Sequence, residues 1–303
     1  MAEFRTRRAP ADGVVLIDKP AGCTSHDVVA RVRRLLRPTV KKVGHAGTLD
    51  PFATGLLLVL VGRGTKLARF FVDLPKEYVC TMRFGIASDT GDGTGVLTET
   101  GRTTEREQLE AVLPNFIGRV EQQVPMTSAV KVDGERLYKK AHRGEVVETP
   151  VKTVEITSID LLGFDVAAQL ARCRIRCSKG TYVRQLATDI GAATGAGAHL
   201  QELSRTATGE FLLEDAVSLA AFEQTASGRA ADDLHIPGLV PPARALQFLP
   251  ALEVSPAQAA AVRNGARLPG GPPGPVRLVL KGELLAIYGP LEEGGGLKPL
   301  VIL

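Results

Sequence analysis

The sequence has little that would hold a metal, cross a membrane or bind a nucleotide cofactor. It contains four cysteines, Cys23, Cys80, Cys173 and Cys177. Cys173 and Cys177 form a lone C-x3-C in a strand-like segment, where both point to one face, and two ligands do not close a zinc site. All four read as reduced core thiols of a cytoplasmic chain. The longest apolar run, Leu56 to Val61, is far too short to span a bilayer. No N-terminal run joins a charged start, an apolar stretch and a small-residue cleavage site, and the basic opening, MAEFRTRRAPADG, is expected to fray. There is no G-x-x-x-x-G-K-S/T, and Gly62-Arg63-Gly64 lacks the rest of a dinucleotide fingerprint. No internal repeat is visible. The expectation is a cytoplasmic protein with no membrane segment, no metal and no cofactor.

What is present is an apolar fraction of 44% in 303 residues, enough for one large domain plus a small one. The net charge of +4 and pI near 8.9 are mild. The basic residues are nonetheless clustered. Arg31, Arg33, Arg34, Arg37, Lys41 and Lys42 form one group, and Lys131, Arg136, Lys139, Lys140, His142 and Arg143 another. Such clusters are either solvated faces or phosphate-binding surfaces, and composition does not decide between them.

Periodicity supplies the elements. Gly13–Ile17 reads as a buried strand closed by Lys19-Pro20 and Gly22. Thr24 reads as an N-cap with Asp27 three residues on; Val28, Val29, Val32, Leu35 and Leu36 then recur at helical spacing until Pro38. Residues 38–55 read as loop, and six apolar residues between Gly55 and Gly62 as a strand. Tyr78–Phe84 alternates like a half-buried strand. Leu109, Val112, Leu113 and Phe116 line one side of a helix, and Val151–Leu162 reads as a strand. In Leu170–Cys177 the cysteines share one face and Arg172, Arg174 and Arg176 the other. Val183, Leu186, Ala187 and Ile190 line a helix closing near Gly191. The order is mixed, so the expected class is α+β with a largely antiparallel central sheet and flanking helices. Residues 225–243, rich in Ala, Gly and Pro, read as a linker. Beyond it, Ser255-Pro256 opens a helix that Asn264-Gly265 closes, and Val276–Leu280, Leu284–Tyr288 and Pro299–Leu303 read as strands. A unit of about sixty residues is close to the lower limit for independent folding and is expected to lean on the main domain.

The informative stretch is Gly44-His45-Ala46-Gly47-Thr48-Leu49-Asp50-Pro51-Phe52-Ala53-Thr54-Gly55. Pro51 biases Asp50 out of a helix and onto a loop, a common place for chemistry, although an Asp before Pro is by itself most often a turn residue. G-H-A-G-T-L-D-P-F-A-T-G-L-L resembles the signature of bacterial tRNA pseudouridine-55 synthases, the TruB family. Leu16-Ile17-Asp18-Lys19-Pro20-Ala21-Gly22-Cys23-Thr24-Ser25 is similar to the family's first motif, and Lys76-Glu77-Tyr78 to its tyrosine strand. Cys177-Ser178-Lys179-Gly180-Thr181-Tyr182-Val183-Arg184 resembles its late motif. Gly197-Ala198-His199-Leu200-Gln201-Glu202-Leu203 lies where the family carries G-A-H and a substrate-side leucine. One departure is visible: Val124-Pro125-Met126-Thr127-Ser128-Ala129 has Thr127 where relatives often have tyrosine. The C-terminal unit resembles a PUA-type RNA-binding module.

The resemblance implies a pseudouridine synthase fold over residues 1–240, with a thumb-like RNA-binding segment at about 124–150, and a PUA-like domain over residues 245–303. It implies isomerisation of uridine to pseudouridine at position 55 in the T-loop of tRNA, with the base flipped out of its stack. Asp50 is then the nucleophile, acting without metal or cofactor. Arg184 is the neighbouring guanidinium that keeps it ionised. Tyr78 stacks on the uracil and assists proton transfer. Tyr182 and Leu203 form apolar walls, His45 fills the space of the extruded nucleotide, and Lys19 supports the site. Without the resemblance, Tyr78 is as readily an ordinary strand tyrosine, and Lys19 a surface lysine. The implied partner is the tRNA T-stem-loop, bound by a monomer. Two other readings stand beside this one: a synthase acting on another RNA, and a non-catalytic tRNA-binding or folding protein.

Overall fold

A computed structural model describes residues 12–37, 39–227, 236–291 and 295–303. Pro38, the basic start and residues 228–235 of the expected linker therefore lie outside the described residues.

An eleven-stranded sheet forms the body. Its main path runs Val217–Ser218, Gly13–Lys19, Thr54–Val61, Ala198–Thr208, Lys76–Phe84, Leu170–Cys177, Val151–Asp165 and Gly118–Gln123. Two neighbours along this path are parallel, Val217–Ser218 with Gly13–Lys19 and Ala198–Thr208 with Thr54–Val61. The other pairings along it are antiparallel, so the sheet is mixed and largely antiparallel, as expected.

The unbroken apolar run Leu56–Val61 is explained by two covered faces. Leu57, Val59 and Val61, with Val15 and Ile17, pack under Val28, Val29, Val32 and Phe222 of two helices. Leu56, Leu58 and Leu60, with Val14 and Leu16, pack against Val279, Leu284 and Ile287 of the C-terminal unit. The first of these helices, Ser25–Leu36, opens with a complete capping box between Thr24 and Asp27. A third layer sets the helix Val183–Ala193 against the alternating residues Cys80, Met82, Cys173 and Ile175.

The C-terminal unit is a five-stranded sheet in the order Ala251–Glu253, Val276–Leu280, Glu283–Pro290, Gly296–Ile302 and Leu268–Pro269, with one helix, Pro256–Arg263, capped by Ser255. It does lean on the main sheet, sharing the core just described; Lys66 also donates to the Ile302 carbonyl at 2.8 Å.

Two expectations need correction. Residues 38–55 are not all loop, because Val43–Ala46 pairs antiparallel with Thr54–Val61. His45 therefore sits on a strand. Nor is the whole of 225–243 a linker. Residues up to Ser227 continue a helix, and Leu239–Val240 pairs with Val14 and Val15 of the first strand. That strand's other short neighbour covers only Ile17 and Asp18, which leaves the edge groups of Val14 and Val15 for a returning chain to bond.

The expected thumb segment contains a short hairpin, Lys131–Val132 with Glu135–Arg136, and the helix Leu137–His142. Asp133 and Gly134 turn the hairpin at positive φ, the D-G turn that matches strand twist.

Candidate active site

Asp50 lies on the loop between Val43–Ala46 and Thr54–Val61, with its side chain 33% exposed. The loop is tied down at several points. Ser25 Oγ both accepts from the Leu49 amide at 2.9 Å and donates to the Leu49 carbonyl at 3.2 Å. The Pro51 carbonyl accepts from the Gly22 amide at 2.8 Å and from Lys19 Nζ at 3.3 Å. Lys19 Nζ also donates to the carbonyls of Pro20 and Cys23, at 2.8 and 2.7 Å. The lysine is wholly buried, so the surface reading of Lys19 is wrong; desolvation pulls its pKa down while Cys23 and Asp50 oppose that. The Asp50 carbonyl accepts from the Ala53 amide at 3.2 Å. Asp50 is thus a turn residue and a presented carboxylate at once.

Arg184 comes from the first turn of the helix Val183–Ala193 and is only 4% exposed. Its Nε donates to Asp50 Oδ2 at 2.9 Å and one terminal nitrogen to Oδ1 at 3.2 Å, a two-point clamp. The other terminal nitrogen reaches the Thr90 carbonyl at 3.1 Å, the Thr127 hydroxyl, and Asp92 Oδ2 at 3.5 Å. The Thr127 carbonyl accepts, at 3.1 Å, from the terminal nitrogen that also meets Asp50 Oδ1. The one departure from the family pattern therefore falls on a residue that holds the arginine. Tyr182 stands at the N-cap without a side-chain cap; Gln122 accepts from its amide at 3.0 Å and donates to its carbonyl at 3.3 Å. Burial pushes the Tyr182 phenol up.

Tyr78 and Leu203 are buried on adjacent strands in one cluster with Leu49 and Ala53 of the Asp50 loop. Behind them lies Arg205, cross-strand from Tyr78 and 1% exposed. Its guanidinium donates to the carbonyls of Leu56 at 2.8 Å, Gly47 at 3.0 Å and Thr48 at 3.5 Å. Burial raises the Tyr78 pKa; the Arg205 charge is the main opposing influence. Arg205 also explains two glycines of the motif. Gly55, at φ +101°, would put a Cβ 2.4 Å from the Arg205 carbonyl oxygen, and Gly47, at φ +85°, faces the guanidinium at 3.4 Å.

Among the described residues, no three His, Cys, Asp or Glu side chains come together as metal ligands. No helix there is long and apolar enough to cross a membrane. The four cysteines are free, and burial pushes Cys173 up to about 12 and Cys177 up to about 11.

A clamped carboxylate at the opening, a buried tyrosine and leucine beside it, and a second guanidinium beneath form a site on one sheet. Residues 33–183 match the TruB family pseudouridylate synthase (N terminal domain), and residues 184–245 the tRNA pseudouridylate synthase B C-terminal domain. The chain belongs to the TruB family. It is 43% identical over 296 residues to tRNA pseudouridine synthase B of Azoarcus sp. (strain BH72), covering 96% of this chain and 95% of that one. It is 43% identical over 292 residues to the protein of the same name from Geobacillus thermodenitrificans (strain NG80-2), covering 91% and 94%. Among solved structures, a chain of an H/ACA RNP bound to a substrate RNA containing 2'-deoxyuridine superposes with a TM-score of 0.73 at 25% identity, over 96% of this chain and 84% of that one. A chain of an archaeal box H/ACA sRNP complex gives 0.70 at 25% identity, over 97% and 88%.

Of the family positions expected from sequence, Asp50 and Arg184 are in direct contact, and Tyr78 and Leu203 share a cluster with the Asp50 loop. His45 stands apart on its strand. Its Nδ1 is buried without a hydrogen-bond partner, and burial, Arg205 and His26 all lower its pKa. Sequence reasoning missed Asp92, Arg205 and Gln122. Each sits in another strand or loop, and no local spacing links it to Asp50.

Proposed function

We propose that this TruB-family enzyme, a tRNA pseudouridine synthase, isomerises the uridine at position 55 in the T-loop, with Asp50 as the nucleophile. The observation that carries the reading is the two-point clamp of Arg184 on a carboxylate that remains one third exposed. The guanidinium holds both carboxylate oxygens in a fixed geometry at the edge of the site. The target base is unstacked and flipped to reach it. The N1–C1′ bond breaks, the base rotates, and a C5–C1′ bond forms; a proton leaves C5 and one is gained at N1. Atoms are conserved, so the net reaction consumes no co-reactant. Tyr78, kept neutral by burial, stacks on the uracil and relays the C5 proton. Tyr182 and Leu203 wall the base, His45 stacks where the nucleotide stood, and Lys19 holds the Pro51 end of the loop.

We further read residues 1–240 as the catalytic domain, with 124–150 as its RNA-contacting thumb, and 245–303 as an RNA-binding domain. The binding partner is the T-stem-loop. We take the enzyme to act as a monomer. We assign it to the cytoplasm, a compartment that suits its four free thiols.

The test is an unmodified tRNA transcript treated with purified protein and assayed for pseudouridine position by position. Asp50→Asn should abolish the T-loop product while RNA affinity stays within about tenfold, because the side chain is nearly isosteric. Normal single-turnover activity in Asp50→Asn would overturn the mechanism. Product only at another position or in another RNA would overturn the substrate.

A further inference from the structure

The two basic clusters differ once their neighbours are known. In the later one, Arg143 is held by Glu135 and by Glu145, both at 2.7 Å, and Lys140 lies 3.6 Å from Asp133. The basic face of Leu170–Cys177 is answered in part, Arg174 and Arg176 by Glu77 and Arg176 also by Asp160. In the earlier cluster, Arg31 alone has an acid among the described residues, Glu223 at 3.9 Å. Arg33, Arg37, Lys41 and Lys42 surround an open concavity of about 450 Å³ floored by Val43 and Gly44. Among the described residues, none of these four cations has a carboxylate within ion-pair distance.

The concavity is shaped as well as charged. Arg33 donates to the Val43 carbonyl at 2.9 Å, tying the helix to the floor strand. Its guanidinium is thereby held rather than free. Gly44 on the floor is followed by His45, whose buried Nδ1 is unpartnered. The same segment continues to Asp50, at most roughly 25 Å away even if fully extended. An anion bound here and a base bound at Asp50 are within reach of one stem-loop.

Resting on the function proposed above, we propose that this concavity seats backbone phosphates of the substrate RNA, and that the strand leaves it past His45 toward Asp50. Four cations without counter-ions repel one another, and phosphodiesters supply the missing charge while releasing condensed counter-ions. In the later cluster Lys140 and Arg143, already answered by their own acids, contribute less.

The experiment uses the full chain with Arg37→Ala, Lys41→Ala and Lys42→Ala combined; Arg33 is left because it braces the floor. Binding of an unmodified T-stem-loop is measured by anisotropy over a salt series. The log–log salt slope should fall by about 2 to 3, one per lost phosphate contact. A set of stem-loops, each with one phosphate replaced by a neutral methylphosphonate, locates the contact. At least one position should cost the native chain about fivefold or more in affinity and the triple variant nothing. At saturating RNA the single-turnover rate should stay within about twofold. An unchanged slope, or methylphosphonate effects that add to the triple variant at every position, overturns the proposal. So does loss of the chemical step at saturation. A native chain that forms no pseudouridine in the T-loop refutes the function instead, whatever the binding data show.

Discussion

Two buried guanidiniums flank the Asp50 loop, and they are held in opposite ways. Arg184 lies between two carboxylates, Asp50 at the opening and Asp92 behind it, the latter 6% exposed. Arg205 has no ion-paired carboxylate among the described residues and donates hydrogen bonds to the carbonyls of Gly47, Thr48 and Leu56. The first arrangement fixes a charge where chemistry needs one. The second fixes a loop, because three carbonyls from both ends of the motif converge on one rigid fork. The same residue type thus serves electrostatics on one side and geometry on the other. Removing each should fail differently.

The largest effect is expected at Arg184. Arg184→Met takes the counter-charge from Asp50 and leaves Asp92 buried and unpaired. Single-turnover rate should fall by roughly 100- to 1000-fold, and urea denaturation should show a loss of about 3–5 kcal/mol. Adding Asp92→Asn should restore most of that stability and none of the rate. If the double variant recovers activity, Arg184 is merely structural and the contrast with Arg205 collapses.

Arg205→Met comes next. It strands three carbonyls but also removes a buried charge with no counter-ion, so the two terms partly cancel. A loss of about 1–3 kcal/mol is expected, with a rate reduction smaller than that of Arg184→Met. Arg205→Lys should recover part of both, since an ammonium reaches some of the same carbonyls. The alkaline limb of the pH–rate profile should move up in Arg205→Met, because the guanidinium is what opposes the rise in the Tyr78 pKa. An unmoved limb would mean that Tyr78 titration does not govern the rate.

This contrast also marks what sequence could and could not show. The capping box, the alternation of Tyr78–Phe84 and the Asp50 motif are local patterns, and the structure shows the first two. Arg184 was reachable through the motif around it. Arg205 was not, because its task depends on Ala198–Thr208 lying between the motif strand and the tyrosine strand, a pairing of distant segments. Asp92 and Gln122 were hidden for the same reason. From sequence, the C-terminal unit reads only as one that leans on the main domain. The cause is the alternation within Leu56–Val61, whose two faces meet different neighbours. Cutting the chain near residue 244 would uncover one of those faces, so point substitutions are the better probe of that unit.

The smallest effect concerns a third buried cation, Lys76, cross-strand from Cys177 and near Arg205. Among the described residues it too lacks an ion-paired acid, and it donates to the carbonyls of Val72 and Leu74. Unlike an arginine, a lysine can release its proton. Desolvation first, and the Arg205 charge second, pull it down to about 8. An unfolded lysine titrates near 10.4. Between those values the unfolded chain holds a proton that the folded chain has shed, so this group makes stability rise with pH there. Below about 8 the folded chain carries the full cost of the buried charge. Cys173 and Cys177 act oppositely at higher pH, since their folded values of about 12 and about 11 lie above those of free thiols. The whole-protein profile therefore masks the lysine, and a difference profile isolates it. Lys76→Met should be more stable relative to the native chain at pH 7 than at pH 10, by about 2 kcal/mol, because the loss of its two hydrogen bonds is common to both pH values and cancels in the comparison. Denaturation at the two pH values reads this directly. A difference that does not change with pH would show that Lys76 keeps an ordinary pKa, and that lacking an acid matters less for a buried lysine than for Arg205.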